Sequence, residues 1–161
     1  MRFAIIFSFL ILCSCGGSLS SEQRKKIRAN MEAKSIKKIS DAELTEAALN
    51  YGRSLAKTIE LKDKSLTNRK YLDSLEKSFG VQIFSMHPAD SFLHGVEKKI
   101  IEAYTSGSDL SGIGDDIQKM GTDSLIYTKP ILTERPDGSL KFIQAIAIRI
   151  PKRQVILSIK Q

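Results

Sequence analysis

A chain of 161 residues with 42% hydrophobic and 27% charged residues has the composition of one globular domain rather than of a disordered or fibrous protein. Both cysteines lie within the first fifteen residues, which excludes a disulfide framework and a cysteine-based metal or redox site from the rest of the chain. The net charge of +7 comes from separate groups of Lys and Arg near the two ends and not from one continuous patch, so we expect no nucleic-acid partner.

The N-terminal segment predicts export. It carries one basic residue, Arg2, followed by an apolar run from Phe3 to Leu12 that only Ser8 interrupts. A short positive region, an apolar run of this length and small residues before a cleavage point are typical of a secretory signal. The run is shorter than the roughly 20 residues that a membrane-spanning helix needs. An uncleaved N-terminal anchor helix is the alternative, and it would also place the chain at a membrane.

The residues that follow, Leu12-Cys13-Ser14-Cys15, resemble the lipobox of bacterial lipoproteins, in which a Leu stands three residues before an invariant Cys. The resemblance implies that residues 1–14 form a signal peptide and that Cys15 becomes the acylated N-terminus, carrying chains such as palmitate. Two acyl chains would hold the domain at the bilayer, because each buried methylene contributes about 0.8 kcal/mol. The implied location is the bacterial cell envelope, on the periplasmic or outer side, with the membrane as a partner.

The next two segments connect this anchor to the domain. Residues 15–21, rich in Gly and Ser, are predicted to form a lipidated tether, and residues 22–39 a basic helical arm with few apolar positions. The cations of the arm either form a plain solubilising face or lie near anionic lipid headgroups, where each would contribute at most about 1 kcal/mol. They are Arg24, Lys25, Lys26, Arg28, Lys34, Lys37 and Lys38.

Residues 40–161 are predicted to form an α+β domain in which N-terminal helices pack on a small antiparallel sheet. Ser40 and Glu43 have the spacing of a capping box, and a stripe of apolar residues at helical spacing follows, ending at Ile59. Gly52 interrupts this helix, which indicates either a tolerated packing glycine or the close approach of another backbone or a ligand. A second helix is predicted over Ser65–Ser78, with Gly80 as its C-cap.

The middle of the chain has weaker patterns. A short strand is predicted over Val81–Met86, ending before His87-Pro88. A helix is predicted over Ser91–Tyr104, then a turn and a short helix to Lys119 within Ser108–Gly121.

The last third is β-rich. A β segment is predicted over Asp123–Thr133 and a strand over Leu140–Ile150, joined by the turn Arg135–Ser139. Alternation along the strand predicts one face with Leu140, Phe142, Gln144, Ile146, Ile148 and Ile150, and another with Lys141, Ile143, Ala145, Ala147 and Arg149. Pro151 ends the strand and is predicted to begin a short helix through Lys160, with a final strand as the alternative.

Two short motifs carry a second resemblance. Asp123–Ile131 reads Asp-x-Leu-x-Tyr-x-Lys-Pro-Ile and Ile148–Pro151 reads Ile-x-Ile-Pro, which is similar to an exported bacterial family of PAS-like domains of unknown function, often called c-type-haem family sensors. The resemblance implies a curved antiparallel sheet that carries helices, with a pocket on one face. Many members have a Cys-x-x-Cys-His motif where this chain has Leu132–Ser139. Because that segment contains neither Cys nor His, covalent haem is excluded. Noncovalent haem could use only His87 or His94 and has no further support, so we expect no cofactor.

Three residues form the candidate ligand site. Tyr127 and Lys129 are two residues apart on one predicted strand, so their side chains share a face. If Arg149 meets them from the paired strand, the three could bind a small carboxylate through the guanidinium fork. The same residues could instead make a cation–π or an ordinary cross-strand contact.

Other chemistry has little support in the sequence. His87 and His94 are the only histidines, and Asp90 is the only carboxylate between them. The spacing of Asp109, Asp115 and Asp116 departs from a calcium-binding EF-hand loop. We therefore expect no metal site, no catalytic residues and no enzyme activity. Two functions remain: a lipid-anchored ligand-binding or sensory domain, or a structural lipoprotein that docks on an envelope protein assembly without a small ligand.

Overall fold

The computed structural model describes residues 20–33, 39–106, 110 and 112–159. The chain divides into two compact units, Met1–Lys38 and Ile39–Gln161. In the first unit a helix, α1 (Ser21–Ala33), lies where the basic arm is predicted. The predicted signal peptide and the predicted acylation site Cys15 fall outside the described residues. None of the helices that the structure describes has both the length and the apolar character needed to span a membrane.

The second unit has an α+β fold, which confirms the predicted class. Its helices are α2 (Asp41–Asp63), α3 (Arg69–Phe79), α4 (Val96–Ser106) and α5 (Lys152–Ile159). Its strands are β1 (Gln82–Met86), β2 (Asp116–Met120), β3 (Ser124–Glu134) and β4 (Leu140–Pro151). They form one antiparallel sheet in the order β1-β4-β3-β2. The helix predicted after Pro151 is confirmed, and the alternative of a final strand is wrong.

Local capping signals fix the ends of α2 and α3. The Ser40 hydroxyl accepts the Glu43 backbone N–H at 3.2 Å and the Glu43 carboxylate accepts the Ser40 N–H at 2.9 Å, so the predicted capping box is confirmed. Gly80 ends α3 with a φ of 62°, also as predicted. The start of α3 is later than predicted, because the Asp63 carboxylate accepts the backbone N–H groups of Thr67 and Asn68 and holds a turn before the helix.

Two predicted helices are wrong in extent or in kind. The helix predicted from Ser91 begins only at Val96, and Phe92 lies on an irregular segment with its side chain 85% exposed. The short helix predicted before Gly121 is the strand β2, which pairs with β3 from Asp116 to Met120. Pairing with a neighbouring strand outweighs a weak local preference for helix there.

A bulge divides the β3–β4 hairpin. The register shifts between Ile131, which faces Gln144, and Leu132, which faces Phe142, so that Ile143 has no partner on β3. The extra residue reverses the alternation of side chains on β4. Phe142 therefore belongs to the face of Ala145 and not, as predicted, to the face of Ile146.

The sheet has a hydrophobic cluster on each face. One face packs against α2, α3 and α5 through Tyr127, Ile146, Ile148, Ile150 and their neighbours. The other packs against α4 through Met86, Ile126, Phe142, Ala145 and Ala147. Helices thus cover both faces, and the small alanines let α4 lie close to β4.

Helix α3 covers the outer edge of β1. The Ile83 N–H donates to the Glu76 carboxylate at 2.6 Å, and the Ile83 carbonyl accepts from the Arg69 guanidinium at 3.4 Å. Side chains therefore take the place of a further strand, which protects the edge from pairing with another chain.

Candidate functional site

The three predicted site residues do not come together. Arg149 is opposite Ile126 in the sheet, whereas Tyr127 is opposite Ile148. Paired residues share a face, and neighbouring residues on a strand lie on opposite faces. Arg149 therefore lies on the α4 side of the sheet, while Tyr127 and Lys129 lie on the α2 side. The predicted carboxylate site of Tyr127, Lys129 and Arg149 is wrong.

Tyr127 packs against α2. A Cβ atom added at Gly52 would lie closer than 3.0 Å to three atoms of the Tyr127 side chain, so the ring rests on the helix backbone. The Tyr127 hydroxyl donates to the Asp115 carboxylate at 3.0 Å, and the Arg53 guanidinium donates to both Asp115 oxygens, at 2.6 and 3.0 Å. Gly52 is thus a site of close approach, as the sequence indicated. The group that approaches it is the side chain of Tyr127 and not another backbone or a ligand.

The electrostatics of this cluster favour a fixed charge state. The hydrogen bond from Arg53 is the largest of the effects that hold the pKa of Asp115 below its ordinary value. Burial, followed by the hydrogen bond to Asp115, raises the pKa of Tyr127 far above its ordinary value. At neutral pH the phenol therefore stays neutral and donates a hydrogen bond to a charged carboxylate, which suits a structural contact and not proton transfer.

Two further ion pairs hold α2 to the sheet. Lys129 donates to Glu60 at 2.7 Å, and Lys119 donates to Asp41 at 2.8 Å. Together with the Arg53–Asp115 pair they connect three positions along α2 with β2, β3 and the residue before β2. Lys129 thus has a structural partner and does not face an open site.

Arg149 has a similar role on the opposite face. Its guanidinium donates to Gln82 at 3.0 Å and to the largely buried carboxylate of Glu97, at the start of α4, at 2.9 Å. It also lies 5.7 Å from the centre of the Phe84 ring, a cation–π contact. The geometry therefore supports the cation–π and cross-strand contacts for Arg149 and not the binding of a ligand.

The other residues weighed in the sequence do not form a cluster. The His87 backbone N–H donates to Asp90 at 2.7 Å within a tight turn, and the His94 side chain is exposed. Asp115 pairs with Arg53, Asp116 accepts from the Gln118 amide at 2.7 Å, and Asp109 lies outside the described residues. Within the described ranges, no group of three His, Cys, Asp or Glu side chains is placed to hold a metal ion.

A cleft between α4 and β2 is a candidate site, one of several surface clefts of similar volume in the part of the chain that the structure describes. Its volume is about 330 Å³, and it is lined by Val96, Lys99, Ile100, Ala103, Tyr104, Asp116 and Gln118. The helix contributes an apolar wall because Val96, Ile100 and Ala103 recur at spacings of three and four residues. The strand contributes a polar wall through Asp116 and Gln118. These residues pair with Thr128 and Ile126 of β3, so their side chains lie on the α4 side of the sheet.

The inner side of this cleft is polar and ordered. The Tyr104 hydroxyl and the buried Thr128 hydroxyl are 2.9 Å apart in a hydrogen bond, and burial raises the pKa of Tyr104. Lys99 makes no ion pair with the part of the chain that the structure describes. Such a site can hold a small molecule with an apolar body and a polar end. The sequence did not indicate it, because the segment of Asp116 was predicted as a helix.

Neither a protein-family model, nor a curated protein, nor a solved structure matches this chain. The class of protein is therefore defined by the fold and the site alone: an α+β domain with helices on both faces of an antiparallel sheet and a cleft beside one of them.

Proposed function

We propose that the protein is a lipid-anchored envelope protein whose α+β domain is a non-catalytic, PAS-like ligand-binding or sensory module. The ligand is a small molecule that binds in the cleft between α4 and β2. The observation that carries this proposal is the cleft itself, with an apolar wall from the helix and a polar wall from the strand.

The size and position of the cleft support binding. Small-molecule sites in proteins commonly have volumes of about 300–1,000 Å³, with mostly apolar walls and a few polar groups. The PAS-like resemblance also leads us to expect a pocket on one face of an antiparallel sheet that carries helices. The ligand is bound without covalent haem, since the chain has no Cys-x-x-Cys-His motif.

We assign no catalytic role to the side chains around the cleft. Tyr104 is hydrogen-bonded to Thr128, and neither His87 nor His94 lines the cleft. The proposal is therefore one of ligand binding.

Thermal unfolding of the full-length, detergent-solubilised protein with a panel of small metabolites tests the proposal. A ligand that binds only the folded state at 100 times its Kd adds about 2.7 kcal/mol of stability. Ala103→Phe should fill the cleft and abolish the shift in Tm, whereas the matched variant Ala42→Phe, at an exposed position in the first turn of α2, should retain it. An equal shift in both variants would place the ligand elsewhere.

A second candidate function is docking on an envelope protein assembly without a small ligand. The specific observation in its favour is the 85% exposure of the Phe92 side chain, with Ile143 40% and Leu140 36% exposed on the hairpin. Phe92→Ser should then remove co-purifying envelope proteins from the wild-type complex, and no metabolite should change the Tm.

A further inference from the structure

We propose that α1 is a membrane-contacting element that lies on anionic phospholipid headgroups beside the lipid anchor. The proposal rests on the proposed acylation of Cys15 and is independent of the cleft. Its partner is the anionic lipid surface itself.

The charge of α1 is concentrated and available. Arg24, Lys25, Lys26 and Arg28 fall within two turns of the helix, and all four side chains are exposed. Arg28 is four residues from Arg24 and three from Lys25, so these three cations share one face. None of the four makes an ion pair with the described part of the chain. Because all four side chains are exposed, they can meet an external anion.

A local capping signal marks the start of α1. The Ser20 hydroxyl accepts the Gln23 N–H at 3.2 Å, and the Gln23 side chain accepts the Ser20 N–H at 3.0 Å. This reciprocal capping box fixes the start of α1 directly after the tether. The cations are thus presented on an ordered helix that begins at a defined place in the sequence.

The length of the tether limits how far α1 can be from the bilayer. Five residue steps separate Cys15 from Ser20, and a fully extended chain of that length spans at most about 17 Å. A helix of 13 residues is about 20 Å long. Electrostatic attraction extends about 8 Å at physiological ionic strength. Of all the positions that the tether allows α1, only those close to the membrane surface therefore bring its cations near the headgroups. Anionic lipid would favour these positions.

Charge complementarity selects the kind of lipid. Ile27, which is 43% exposed, and Met31 are the only large apolar residues in the sequence of α1, and two such residues are too few for stable insertion. Neutral lipid therefore offers α1 little, whereas anionic lipid attracts each Lys and Arg near the surface. We expect α1 to lie among the headgroups and not in the hydrocarbon core.

The test uses the full-length, processed lipoprotein in lipid nanodiscs, with a fluorophore on Asn30→Cys and quenching spin labels on the lipid headgroups. Discs of neutral phosphatidylcholine are compared with discs containing about 30% anionic phosphatidylglycerol. We expect strong quenching on anionic discs only, and its loss in about 0.5 M salt. The variant R24Q/K25Q/K26Q/R28Q should lower the ratio of lipid-bound to unbound α1 about tenfold or more.

A matched variant separates local contact from net charge. K57Q/K64Q/K70Q/K77Q removes the same number of charges from exposed positions in the second unit and should leave the quenching unchanged. Equal quenching on neutral and anionic discs, or an equal loss in both variants, would overturn the proposal. Incorporation of a second fluorophore would reveal an unacylated Cys15, and would then count against the anchor and not against the lipid contact.

Discussion

At the scale of single residues, the contact between Gly52 and Tyr127 sets how closely α2 can approach the sheet. Tyr127 is 1% exposed and its ring occupies the space that any larger residue at position 52 would need. The sequence signalled that Gly52 was unusual. It did not identify the partner, because residues 52 and 127 meet only through the tertiary fold.

Gly52→Ala should therefore destabilise the protein. Overpacking of a filled core costs about 1–3 kcal/mol, and the gain in helix propensity of about 1 kcal/mol offsets only part of this. Chemical denaturation measures the change. Gly112→Ala is the control, since nothing lies within 4 Å of an added Cβ there, and should change the free energy of unfolding by less than about 0.5 kcal/mol. Equal stability of Gly52→Ala and the wild type would contradict the close contact.

The Asp115 carboxylate makes stability depend on pH. Its pKa is lowered in the folded state, chiefly by the hydrogen bond from Arg53, so its charged form stabilises folding above its unfolded pKa. This contribution is lost as the pH falls through the folded pKa. The difference in unfolding free energy between the wild type and Asp115→Asn should thus be constant above about pH 5 and shrink in more acidic solution.

Arg53→Met provides the companion measurement. It removes the largest cause of the pKa shift while leaving the carboxylate in place, so it should weaken the pH dependence in the same acidic range. A variant that kept the full acid sensitivity of the wild type would show that other groups dominate.

At the scale of elements, an ion pair holds the start of α4 against the sheet. The Glu97 carboxylate is 11% exposed and accepts from Arg149 of β4, whose side chain is 38% exposed. The rest of the helix packs through Ile100, Ile101 and Tyr104 on the small residues of the sheet. Because α4 forms one wall of the cleft, this pair also positions the proposed ligand site.

Glu97→Gln should loosen α4 selectively. Hydrogen bonds to charged groups contribute about 1.5–3 kcal/mol, and the partial exposure of Arg149 reduces this to about 1–2 kcal/mol. Amide hydrogen exchange should accelerate in α4 before it does in α2. The matched variant Glu102→Gln removes an exposed pair with Lys98 at 3.9 Å and should have almost no effect. Uniform acceleration across the sheet would argue against a local role.

At the scale of the whole molecule, the two units have separate proposed roles: the first attaches to the membrane and the second binds a ligand. This arrangement needs no apolar helix within the domain, and the described helices are too polar or too short to provide a span.

Labelling of growing cells with radioactive palmitate tests the attachment. The wild type and Cys13→Ser should incorporate the label and sediment with membranes, because Cys13 lies in the predicted signal peptide and is not the proposed acylation site. Cys15→Ser should incorporate none. A wild-type chain that stays unlabelled and soluble would end the assignment to the envelope.

The sequence by itself determined what local interactions control: the capping box of α2, the Gly80 end of α3, the turn at Arg135–Ser139 and the α+β class. It failed where contacts between distant residues decide the outcome. The strand β2 forms because β3 offers it a partner, and the bulge at Ile143 moves Phe142 to the other face.

The same division explains the candidate site. Residue types at Tyr127, Lys129 and Arg149 suggested a ligand, but the register of β3 against β4 placed Arg149 on the opposite face, where Glu97 binds it. A shift of one residue reverses the face of every side chain on a strand, and no local signal records it. Only the tertiary structure could separate these three residues and bring Tyr104, Asp116 and Gln118 together around a cleft.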